Sequence, residues 1–215
     1  MLSLRLRCFV LAAALPLLVR ADAPPPPAPA LVQRAEKIVG PLHLNDAAKA
    51  TRVRDLIARQ YDALRPIHQL RDNGLKLAKE TADKTQAEAR RAEVLAKTDA
   101  HLAELHAQFL AALAAELTPE QIDGVKDGMT YGVLPLTFRV YQEMLPNLTA
   151  EQKTQILAWL TEAREHAMDA NTSEEKHAWF GKYKGRINNY LTKAGYDMKA
   201  AEKNLLHRAP PGGGK

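Results

Sequence analysis

The side chains best suited to holding a ligand are concentrated between Lys176 and Tyr196. From Lys176 the segment reads Lys-His-Ala-Trp-Phe-Gly-Lys-Tyr-Lys-Gly-Arg-Ile-Asn-Asn-Tyr, and to Tyr196 it carries five Lys and Arg without one acid. Helical spacing places Trp179, Tyr183, Ile187, Tyr190 and Ala194 on one face, with Lys182, Arg186, Asn189 and Lys193 in the stripe beside it. Flat rings next to planar amide and guanidinium groups suit a sugar. Its C–H faces stack on indole or phenol, and its hydroxyls are held by fixed donors. The acid-free stripe favours a uronate or sulfated sugar over a neutral one. The plain packing alternative is that Trp179, Tyr183 and Ile187 are core and the cations a solvated rim. Gly181 and Gly185 each cost roughly 1 kcal/mol inside a helix, which predicts that a neighbouring helix or a ligand comes close to them.

Catalytic and metal chemistry find less support. Glu162 with His166, and Glu165 with Asp169, are four apart and read as i,i+4 pairs on an exposed helix face. His101 and His106 are five apart, a poor fit to one face. The His-Glu-x-x-His zinc pattern, the Gly-x-Ser-x-Gly elbow, the phosphate-binding Gly loop and the dinucleotide fingerprint are all missing from the sequence. An acid pair for glycoside hydrolysis needs two carboxylates about 5 to 9.5 Å apart across a cleft. Glu143, Glu162 and Glu165 are the candidates, but a helical bundle is a poor host for a deep cleft. The expectation is a non-catalytic protein with no cofactor and no metal site.

Three stretches carry a family resemblance: Tyr131-Gly-Val-Leu-Pro135, Glu162-Ala-Arg-Glu-His-Ala-Met-Asp169 and the Lys176–Tyr190 segment. Over about residues 31–198 the chain resembles an uncharacterised bacterial domain-of-unknown-function family of exported proteins described as sugar-binding. The resemblance implies a carbohydrate-linked role and supplies no site residues of its own. The residues expected to contact the ligand are therefore Trp179, Lys182, Tyr183, Arg186, Asn189 and Tyr190, with Tyr131 from the Gly-rich loop. A second resemblance rests on Leu117-Thr-Pro-Glu-Gln121 and Leu148-Thr-Ala-Glu-Gln152, which look like boxes of small periplasmic stress chaperones with helical hairpins. It implies the alternative role of cradling unfolded clients.

The elements that must position these residues are helices. No stretch between Leu31 and His207 alternates convincingly with period two, and helical periodicity recurs throughout. Leu31, Ala35 and Ile38 give a short first helix ended by Gly40-Pro41. Asn45 or Asp46 caps a second, with Val53, Ile57, Tyr61, Leu64 and Ile67 or His68 facing inward and a stop or turn expected at Asn73-Gly74. A long Ala/Glu/Lys-rich helix runs from Leu75 to Leu117, with a break or projection expected in the polar section 79–91. Thr118 and Thr149 open capping boxes, and Thr172 or Ser173 starts the last helix, which ends at Ala194-Gly195. Between the boxes, 127–135 reads as a tight Gly-containing loop. The sum is an all-α bundle of six or seven helices with a long N-terminal helical hairpin, one domain over 31–207.

The ends complete the picture. Arg5 and Arg7 followed by the apolar run Cys8 to Val19 read as a signal peptide over 1–21. Residues 22–30 form a Pro-rich linker, and 208–215 a disordered tail. Export to the periplasm or the extracellular space follows, with no membrane span left after signal removal. Loss of Arg5, Arg7 and Arg20 lowers the 30 Lys and Arg to 27 against 25 acids, so the formal charge drops from +5 to +2. So balanced a chain is no general nucleic-acid binder. Cys8 is the only Cys, so the mature chain has no thiol. The expected partner is an oligosaccharide or an acidic sugar.

Overall fold

The computed structural model describes residues 26–208. The expected signal peptide, the first part of the Pro-rich linker and the tail beyond 208 lie outside them. Among the described residues there are eight α-helices and no strand. They are α1 (Pro29–Val39), α2 (Ala47–Lys79), α3 (Lys84–Ala114), α4 (Pro119–Met129), α5 (Val133–Met144), α6 (Ala150–Met168), α7 (Ser173–Lys193) and α8 (Met198–Arg208). This is the all-α bundle that the periodicity predicts, with one helix beyond the six or seven expected. The addition is α8, which follows the left-handed Gly195 and packs Met198 and Ala201 on its neighbours. No described helix is long and apolar enough to cross a membrane.

Local chemistry explains most of the boundaries. Asp46 caps α2 by accepting from the backbone N–H groups of Ala48 and Lys49. Thr118, Thr149 and Thr172 each form a complete capping box with Gln121, Gln152 and Glu175. The hairpin turn is not at Asn73-Gly74. It lies at Glu80–Asp83, where Asp83 accepts from Gln86 N and starts α3. Gly74 is instead a crossing point inside α2: a Cβ there would sit 2.7 Å from a Val94 methyl of α3. Gly128 works alike within the last turn of α4, where a Cβ would meet Ile38 of α1 at 2.8 Å. The loop read over 127–135 shrinks to Thr130–Gly132, with Tyr131 and Gly132 both left-handed at φ 60° and 64°.

Two apolar clusters hold the fold. The first joins Ile38 of α1, Val53 and Ile57 of α2, Phe109 and Leu113 of α3, and Val125 and Met129 of α4. The second joins Tyr141 of α5, Ile156 and Leu160 of α6, and Phe180, Tyr183, Ile187 and Leu191 of α7. Met168, at the end of α6, reaches into the first cluster. At ~1.5 Å per residue α2 and α3 extend about 50 and 45 Å, and the C-terminal part of α2 carries the exposed Leu70 and Leu77. The two clusters meet along α6, and the candidate site lies there.

Candidate ligand-binding groove

A groove of about 810 Å³ lies between α3 on one side and α6 and α7 on the other. Leu95, Leu102 and Ala103 line the α3 wall, while His166 of α6 and Trp179 and Lys182 of α7 line the facing one. The buried side chains His68 of α2 and Asp169, just past α6, form the floor. The His166 ring lies parallel to the Trp179 indole with centroids 4.3 Å apart, and the Lys182 ammonium sits 4.8 Å from the centre of the same indole. This is a cation–π contact made by a side chain with a flexible four-carbon stem.

Beneath the groove runs a chain of ion pairs. His106 of α3 donates from Nδ1 to Asp169 Oδ2 at 2.7 Å, and its Nε2 lies 3.3 Å from Glu165 Oε2. Hydrogen bonding to Asp169 and then Glu165 pushes this imidazole up to about 9. Glu165 also accepts from Lys126 at 2.8 Å. Burial acts to raise Glu165, but His106, Lys126 and the charge of Arg164 outweigh it and bring the carboxyl down to about 2. Arg164 donates to Asp123 and Asp127 of α4. His68 Nε2 donates to the Asp169 carbonyl at 2.6 Å, and Arg71 donates to Glu175 at 2.7 Å. The i,i+4 surface pairs expected on α6 do not form. Glu165 and Asp169 reach α3, His166 turns to Trp179, and Glu162 faces Arg186 at 3.8 Å.

The family model for the protein of unknown function DUF3826 matches residues 29–210. This chain belongs to the DUF3826 family. No curated protein matches the DUF3826 chain.

Within this DUF3826 chain the residues expected at the site fall in separate places. Trp179 and Lys182 line the groove. Tyr183 is 4% exposed and belongs to the second core. Arg186 and Tyr190 gather around Trp159 on another surface, with the guanidinium 4.7 Å from the indole centre and the phenol ring edge-on at 5.3 Å. Asn189 is exposed and does not line the groove. Tyr131 is half-exposed at the α4–α5 turn, where its hydroxyl accepts from Arg34 and its ring stacks on His177.

The separation has a simple cause. The buried stripe of α7 is Lys176, Phe180, Tyr183, Ile187 and Leu191, which keeps Tyr183 and Ile187 of the expected stripe but has Phe180 and Leu191 in place of their neighbours Trp179 and Tyr190. Lys176 is therefore no part of an exposed basic stripe. It is 1% exposed and donates to the Ala167 and Met168 carbonyls at the end of α6, where cations are favoured. Burial pushes its ammonium down to about 8. Nor do Gly181 and Gly185 mark a close approach, because a Cβ at either would meet nothing within 4 Å.

Sequence reasoning missed His68, Arg71 and His106 as site members. His68 carried a signal, since it ends the inward stripe of α2 where a polar side chain needs a partner. His106 carried none, because its partners lie 59 and 63 positions away.

Proposed function

We propose that this protein is an exported, non-catalytic, carbohydrate-associated helical protein whose oligosaccharide ligand lies in the groove beside Trp179. The observation that carries the reading is the stacked His166–Trp179 pair on the groove wall, with the flexible Lys182 over the indole. A sugar face displaces the Lys stem and takes the ring surface, and the ammonium stays beside it as a donor. The volume suits a small ligand, whose sites span ~300–1,000 Å³. The leader pattern at 1–21 supports export.

The charge pattern speaks against catalysis by the nearest carboxylates. Glu165 and Asp169 share one imidazolium, and Glu165 is further neutralised by Lys126. A general acid needs a carboxyl held protonated near working pH, and Glu165 is shifted the opposite way.

The test is calorimetric titration with plant-wall oligosaccharides against the unmodified chain and Trp179→Ala. The expected result is at least tenfold weaker binding by the variant, titrated at a temperature where circular dichroism shows it folded, because Trp179 also packs against the second core. A variant that binds as well as the parent removes the groove from the reading. A client-holding chaperone role is favoured by one feature, the exposed Leu70 and Leu77 on the hairpin. It predicts suppression of client aggregation that Leu70→Ser with Leu77→Ser abolishes.

A further inference from the structure

The floor of the groove has a donor and acceptor balance that the walls do not reveal. His106 spends both ring nitrogens on Asp169 and Glu165. His68 gives its Nε2 proton to the Asp169 carbonyl, and Arg71 directs its Nε and a terminal nitrogen to Asp72 and Glu175. The imidazole donors of the floor are thus committed inside the protein, and the Arg71 charge is matched by two carboxylates. The acceptors are not. His68 Nδ1 and Asp169 Oδ1 have no hydrogen-bond partner, although His68 is 1% and Asp169 9% exposed. A neutral imidazole that donates from Nε2 presents a lone pair at Nδ1, and an ionised carboxylate oxygen is an acceptor only. Buried polar atoms are normally paired, and these two belong to side chains on the groove wall. What they lack is a proton donor.

We infer that the groove selects its sugar by proton donors, accepting the hydroxyl or ammonium groups of a neutral or amino sugar at the His68–Asp169 floor and rejecting a uronate or sulfate there. The inference rests on the carbohydrate reading above and refines it. An anionic group brought to the floor faces the Asp169 carboxylate and the His68 lone pair, and the nearby Arg71 guanidinium is already paired with Asp72 and Glu175. Lys182 stands at the wall beside Trp179, and Asp99 lines the groove from α3. The acid-free run along α7 therefore does not make the groove basic, because α3 and α6 bring carboxylates to it.

The experiment probes a glycan array carrying neutral, amino-sugar, uronate-rich and sulfated glycans with the full chain. The strongest hits are then titrated against matched oligosaccharides of glucose, glucosamine and glucuronic acid. Signal on neutral or amino glycans, with the matched uronate at least tenfold weaker, is the expected result. Equal or tighter binding of uronate or sulfated glycans overturns the inference and leaves the carbohydrate reading standing. Silence across all four classes overturns both. Asp169→Asn, which trades a carboxylate oxygen for a donor, should narrow the gap between the neutral and uronate members. A gap as wide as the parent's counts against the floor as its source. Selectivity is read first on the unmodified chain, so the outcome does not depend on the variant folding.

Discussion

His106 is the side chain whose charge state most directly ties the two halves of the protein together. Its folded pKa, about 9, lies above the ordinary 6.5. The stabilisation it gives is therefore complete below about pH 6.5 and is lost as pH rises through 9. The half-open setting reduces its size to about 1–2 kcal/mol. Lys176 runs the other way, because its pKa falls from 10.5 to about 8. Between those values the unfolded chain holds more protons, so stability from this group rises with pH. His106→Gln separates the two: the parent should lose melting temperature between pH 6.5 and 9 relative to the variant. Equal slopes for the two proteins would remove His106 from the account. Lys176→Met should cost roughly 1–3 kcal/mol, read by urea unfolding, because two carbonyls at the end of α6 lose their donor. None of these pairings was legible in the sequence. Spacing within one helix exposes i,i+4 partners, whereas His106, Asp169 and Lys176 find theirs on other elements.

Helix starts were the most legible features, because an N-cap is decided by four or five neighbouring residues. Thr118, Thr149 and Thr172 all cap as their neighbours indicate. Glycines were the least legible. Gly74 reads as a turn and is a helix crossing, while Gly181 and Gly185 read as a crossing and face open space. The difference lies in what stands opposite, which local sequence does not contain. The two kinds respond oppositely to alanine. Gly181→Ala and Gly185→Ala should each stabilise by about 0.5–1 kcal/mol, since they gain helix propensity without a clash. Gly128→Ala should destabilise by about 1 kcal/mol or more, since its Cβ would press on the buried Ile38. Thermal unfolding of the three variants checks both signs. The register of α7 shows the same limit. Trp179 and Phe180 are adjacent and both apolar, and only packing against α6 decides that Phe180 turns inward.

At the scale of the whole molecule, fold class was readable because helical period recurs throughout the chain. The groove was not, because its walls come from α3 at one end of the sequence and α6 and α7 at the other. Each wall is anchored in a different core: Phe109 and Leu113 hold α3 in the first, and Phe180 and Ile187 hold α7 in the second. Asp169→Ala should therefore loosen the coupling between cores. The parent should unfold in a single calorimetric transition, and the variant in a broader one with van't Hoff enthalpy below the calorimetric value. An equally sharp transition at lower temperature would show that the apolar contact through Met168 couples the cores alone. The arrangement has a consequence for how such a site diversifies. The groove is spanned by side-chain struts, His106 to Asp169, His68 to the Asp169 carbonyl and Arg71 to Glu175, so its aperture is a matter of strut length. Exchanging Glu175 for Asp, or Asp169 for Glu, changes that length by one methylene while both cores keep their packing. The pocket is in this sense gauged by spacers, and a related chain with different spacers at these positions would present the same walls at a different width.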